Sequence, residues 1–209
     1  LPNSENHSYL VVDFSKFDEY KIKIEEYIKN NQVDILVNNT QGPSAGNSLS
    51  KNIDSYQEAF DLLFKSVVHT SSLVIPHMQK NKWGRIINVT SVSVKEPLNY
   101  LVLSNSIRSA VVAWAKSLSV DIGKDGITIN SILTGYFDTE RIKELNKEKS
   151  KSLKISEKEV LEKMKSLVPL NRLGKPEEYG YLVSFLSSDK ASYINGASIP
   201  IDGGLLKSY

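Results

Sequence analysis

Four residues able to bind or orient a ligand each follow a short apolar run: Asp13, Asn38, Ser91 and Gly135. A carboxylate, an amide and a hydroxyl recognise ligand hydroxyls and carbonyls by hydrogen bonding, and a glycine lets backbone come close. The chain has no cysteine, which excludes disulfides, thiolate metal sites and cysteine nucleophiles. The histidines His7, His69 and His77 make no metal-like cluster, and the latter two share one helical stretch as surface or interface residues. The chemistry on offer is hydrogen bonding and proton transfer by oxygen and nitrogen groups.

The elements that carry these residues follow from periodicity. Segments 9–12, 33–37, 84–89, 126–133 and 198–201 are β-branched and apolar, which predicts buried strands. Helices are expected over 15–30, with Phe17, Tyr20, Ile24, Tyr27 and Ile28 on one face, and over 104–121, with Ile107, Ala110, Val111, Trp114, Ala115 and Leu118 on one face. A long helix over 54–80 is expected to open with a capping box, Asp54 and Gln57. The charged stretch 138–166 is helical in pattern, with a second box at Ser156 and Glu159, and Pro176-Glu177-Glu178 starts a further helix. Alternation at this spacing implies right-handed crossovers and a doubly wound, mostly parallel α/β sheet. Ligands bind such sheets beyond the carboxyl ends of the strands, where Asp13, Asn38, Ser91 and Gly135 stand.

Size and charge narrow the class. With 209 residues and 40% apolar content, the chain can bury the core of one domain, 1–209. The 26 basic and 24 acidic residues leave a formal charge of +2, which gives no case for nucleic acid. No apolar stretch reaches the roughly 18 residues of a membrane helix, and no signal-peptide pattern is present, so a cytoplasmic location is expected. The opening Leu1-Pro2-Asn3, without methionine, is expected of a processed or partial chain.

Along nearly its whole length the sequence resembles the short-chain dehydrogenase/reductase family, in particular 3-oxoacyl reductase-like members. The resemblance rests on Asn38-Asn39-Thr40-Gln41-Gly42, similar to an Asn-Asn-Ala-Gly turn; on 84–91, similar to the strand that ends in a catalytic serine, here Ser91; on Thr134-Gly135-Tyr136-Phe137-Asp138-Thr139, similar to a Pro-Gly-x-x-x-Thr turn; and on 169–177 and Asp202-Gly203-Gly204. It implies a Rossmann-like fold and a nicotinamide cofactor, NAD or NADP, without distinguishing them. It assigns cofactor contacts to Asp13, Asn38, Asn39, Gly135, Phe137 and Thr139, a substrate lid to 138–166, and a homodimer or homotetramer through helices 54–80 and 104–121. Trp114, Phe60 and Phe64 are candidates for that interface.

Two departures stand out. The family's Gly-rich turn and first two strands have no counterpart, so about the first fifth of a parent protein is expected to be missing from this chain. Without those strands, segment 9–12 would have no neighbour in the sheet. The family's Tyr-x-x-x-Lys pair is also replaced: counting from Ser91, Ser104 stands for the tyrosine and Arg108 for the lysine, while Leu63 stands for an asparagine on the preceding helix. A serine hydroxyl is a far weaker acid than a phenol of reference pKa about 10, and arginine cannot relay a proton. Tyr100, one turn before Ser104, and Tyr136 are alternative phenols; Ser104 is also a fitting helix N-cap.

The resemblance thus implies an NAD(P)-dependent oxidoreductase acting on a small carbonyl or hydroxyl substrate, with Ser91, Ser104 and Arg108 as its catalytic set and Arg108 also holding ribose hydroxyls. The rival is a protein that keeps the fold as a binding module or scaffold and has lost the chemistry. The altered site favours the rival and the near-intact 134–139 turn favours the enzyme. The lid's nine basic and seven acidic residues give no preference for substrate charge.

Overall fold

The structure is a computed structural model that describes residues 7–208; the Leu1-Pro2-Asn3 opening lies outside them. Its sheet holds four parallel strands in the order β1 (Ile35–Asn38), β2 (Gly84–Val89), β3 (Ile127–Thr134) and β4 (Ser198–Ile201). Ile35 pairs with Arg85, Gly84 with Ile127, and Ser131 with Ser198. β2 and β3 are hydrogen-bonded on both sides and almost wholly buried. The two-residue period of a strand sends alternate side chains to opposite faces. Ile86, Ile127 and Ile129 pack with Val74, Met78, Ala115 and Ile122 on one face, and Ile87 and Ile132 with Leu186 and Ala191 on the other. Each such buried aliphatic side chain contributes about 1.5–3 kcal/mol relative to exposure.

The first face is covered by α3 (Ser66–Asn81) and α4 (Val102–Ile122), the second by α7 (Pro176–Leu186). The sheet is therefore covered on both sides, as a doubly wound α/β fold requires. α1 (Phe17–Asn30) packs on α3 through Tyr20, whose hydroxyl meets that of Thr70. Of the described residues, no helix is long and apolar enough to cross a membrane.

Five local expectations are corrected. Segment 9–12 forms no strand: Tyr9, Leu10 and Val11 are exposed, and among the described residues no strand lies beside them. A strand's backbone groups need partners, and residue propensity cannot supply them. The long helix is three pieces, α2 (Ile53–Phe60), a π-helical turn over Asp61–Lys65, and α3. Its N-cap is Asn52, which accepts from the Ser55 N–H, so Asp54 belongs to the first turn. The stretch 138–166 splits into α5 (Glu140–Leu153) and α6 (Glu157–Ser166) at Lys154, which takes a left-handed φ of 54°; the capping box of Ser156 and Glu159 forms as expected. Ser104 is not a cap, since α4 starts at Val102.

Candidate active site

The carboxyl ends of β1, β2 and β3 open on one cavity of about 690 Å³, lined on one side by α5. Seven of the residues singled out from sequence line it together: Asn39, Ser91, Ser104, Arg108, Gly135, Phe137 and Thr139. Two others are not among its lining. Asn38 is buried and donates its amide to Asn88 Oδ1 at 2.8 Å and Ser71 Oγ at 3.1 Å, tying β1 to β2 and α3. Asp13 is exposed and accepts from the Ser15 N–H and hydroxyl, which hold its carboxyl below the ordinary range.

Ser91 follows β2 directly. Its Oγ accepts from the Ser93 N–H at 3.1 Å, capping a short 3-10 turn, and its own proton stays available for a ligand oxygen. Ser104 lies in the first turn of α4 and is buried. Arg108, one turn later on the same face, donates to the Val89 carbonyl. Arg108 is half-buried, and desolvation pulls its pKa down to about 10; the Tyr179 phenol opposes that shift and the Arg141 charge adds to it. Among the described residues, no carboxylate pairs with Arg108.

The turn after β3 is held at two points that admit no side chain. A Cβ on Gly135 would come within 2.6 Å of the Asp202 backbone, and one on Gly174 within 2.6 Å of the Phe137 ring. The Gly174 N–H donates to the Tyr136 carbonyl and the Asp138 N–H to the Gly174 carbonyl, so the turn is clamped by the segment just before α7. Phe137 packs edge-on against Tyr179 at 5.3 Å, and the Tyr179 and Thr134 hydroxyls meet at 3.1 Å. The Thr139 hydroxyl bonds the Phe137 carbonyl.

Two phenols meet in the cavity. Tyr100 is fixed by its backbone, which accepts from the Gly46 N–H at 2.7 Å, and Tyr136 by the clamped turn. Burial pushes both phenols above the ordinary tyrosine value. The pair is unequal: the bond from Tyr100 offsets the rise at Tyr136, whereas Tyr136 raises Tyr100 further. The two hydroxyls interact within the cavity, and each phenol stays above the ordinary tyrosine value.

Sequence reasoning missed Tyr179 and Arg141. Tyr179 is one apolar-face residue of a short helix, indistinguishable in sequence from core. Arg141 is one of many charges in 138–166, although its place two residues after Thr139, at the start of α5, was the available signal.

A family model described as enoyl-(acyl carrier protein) reductase matches residues 3–206. The chain is 29% identical over 177 residues to the NADPH-dependent reductase BacG of Bacillus subtilis (strain 168), covering 85% of this chain and 68% of BacG. It is 34% identical over 176 residues to the oxidoreductase UcpA of Salmonella typhimurium, covering 83% of this chain and 65% of UcpA. Among solved structures, L-sorbose reductase from Gluconobacter frateurii, complexed with NADPH and L-sorbose, superposes with a TM-score of 0.87 at 27% identity, covering 95% of this chain and 76% of that one.

Proposed function

Since the chain belongs to the short-chain dehydrogenase/reductase family, we propose that it is an NAD(P)-dependent oxidoreductase that reduces a small carbonyl substrate, 3-oxoacyl-like in class, with Tyr136 as its proton donor. One observation carries this reading: Ser91, Ser104, Tyr136 and Arg108 converge in a single cavity at the carboxyl ends of the central strands. The relatives named as an NADPH-dependent reductase and an oxidoreductase support it.

The residues fit the nicotinamide and ribose half of a dinucleotide. Arg108 offers a desolvated guanidinium without a carboxylate, suited to ribose hydroxyls, while Asn39, Gly135, Phe137 and Thr139 line the wall where the ring would lie. When bound there, the reduced nicotinamide supplies the hydride. Ser91 and Ser104 hold the substrate oxygen by their hydroxyls, and Tyr136 passes its proton to that oxygen as the alkoxide forms. Tyr100 then stabilises the Tyr136 phenolate. Burial raises both phenols above the ordinary tyrosine value, so Tyr136 is protonated at neutral pH, the form that reduction needs in its donor. By the same resemblance we assign 138–166 as the lid and α2, α3 and α4 as the faces of a homo-oligomer.

The test is titration of NADPH and NADH into the complete protein, followed by a carbonyl screen. Saturable binding weakened by Arg108→Ala supports the reading. Tyr136→Phe is expected to lower kcat about 10²–10⁴-fold with little change in cofactor affinity. Reduction is expected to stay flat from about pH 6 to 9, since the donor's pKa is raised from an ordinary value near 10. Binding of neither cofactor would leave the scaffold reading in front.

A further inference from the structure

The charges of α5 and α6 nearly balance in sequence, yet the cavity receives an unbalanced set. Of the charged residues on α5, Arg141 and Glu144 line it, and Lys149 stands over the Tyr100 ring at 5.1 Å. From α4 the cavity receives Arg108, which no carboxylate accompanies. The remaining titratable groups that face it, Tyr100, Tyr136 and Tyr179, are phenols kept neutral by burial. Two guanidiniums therefore share the cavity with one carboxylate.

Arg141 is the group placed to use that excess. It reaches from the second residue of α5 to the loop after β1, where one terminal nitrogen donates to the buried Pro43 carbonyl at 3.0 Å. Its other terminal nitrogen stands 3.6 Å from Glu144, a mostly exposed carboxylate and so a weak, screened partner. Its Nε faces Gly42, where a Cβ would already come within 3.4 Å. The guanidinium is thus anchored at one corner beside the cavity it lines, and its other terminal nitrogen meets a carboxylate that solvent competes for. The Arg141 side chain is itself 39% exposed, so its pair with Glu144 is screened on both sides, and a ligand oxyanion that takes two donors and excludes water from the cavity is the stronger partner.

We propose that Arg141 determines substrate class, accepting carbonyl compounds that carry a carboxylate or phosphate at the end remote from the reacting carbon. The proposal rests on the oxidoreductase reading and adds the substrate's charge. The anion displaces Glu144, takes two donors from the Arg141 fork, and ties α5 down on the loop at Pro43. The field of Arg108 strengthens the attraction without a direct contact.

The test pairs each acid with a neutral counterpart: acetoacetate with methyl acetoacetate, and dihydroxyacetone phosphate with dihydroxyacetone. KM is measured with reduced cofactor, and Kd by calorimetry on the protein loaded with oxidised cofactor, where no reduction occurs. The charged member of at least one pair is expected to bind better. Arg141→Ala should weaken that member about 10–100-fold and the neutral one hardly at all; Arg141→Lys should restore part of the loss. Glu144→Gln should tighten the acid severalfold, an effect that a damaged fold would not produce. Equal treatment of acid and neutral partner in both pairs, or an Arg141→Ala effect confined to cofactor affinity, overturns the proposal; the second result would assign the arginine to the cofactor's phosphates. If neither cofactor binds, the oxidoreductase reading falls by itself, and calorimetry on the unloaded protein decides whether Arg141 selects anions.

Discussion

The paired interior of the sheet and its N-terminal border contain similar residues in opposite circumstances. Ile127, Ile129 and Ile132 of β3 are fully buried, the first two paired with β2 under one helical layer and the third paired with both β2 and β4 under the other. Val11 is 83% exposed in a segment of equal strand character, and Ile35 and Val37 on β1, the border strand, stay partly open. Strand propensity is a preference for a half-buried, hydrogen-bonded setting, and only the interior supplies one. What holds residues 7–30 is helical instead: α1 seats Tyr20 against α3.

Three substitutions sharpen or break that contrast. Ile129→Ala should cost about 2–5 kcal/mol in denaturant unfolding, because the cavity it leaves is walled by strands that cannot collapse. A loss below about 1 kcal/mol would show that the interior is looser than its burial implies. Tyr20→Phe should cost about 1 kcal/mol by removing the hydroxyl bond to Thr70 while keeping the ring. Val11→Ala should change stability by less than about 0.5 kcal/mol. A cost comparable to that of Ile129→Ala would mean that segment 9–12 is packed in solution against something outside residues 7–208.

The same contrast explains what could be read from sequence. β2, β3 and β4 appear within a residue of the expected bounds, since continuous apolar runs leave buried strands little freedom. The register that sets Ser91, Ser104 and Arg108 together is legible because the family resemblance gives the distance from Ser91 to Ser104 and a helical four-residue spacing puts Ser104 and Arg108 on one face. Segment 9–12 fails for want of a neighbour, a non-local condition. Asn38 has the residue type of a ligand contact, but its amide is consumed by Asn88 and Ser71, partners 50 and 33 positions away. Arg141 was hidden for the reverse reason, as its neighbours in sequence are equally charged and only the approach of α5 to Pro43 distinguishes it.

The π-helical turn at Asp61–Lys65 amounts to one residue inserted into an otherwise continuous rod. An extra residue turns the helix before it by about 100° relative to the helix after it, because an α-helix advances 3.6 residues per turn. Removing one residue there is a way to re-aim α2, and with it the loop whose Gly46 pins Tyr100. The mouth of the cavity can thus be steered by a change in chain length, with every side chain in its lining left as it is.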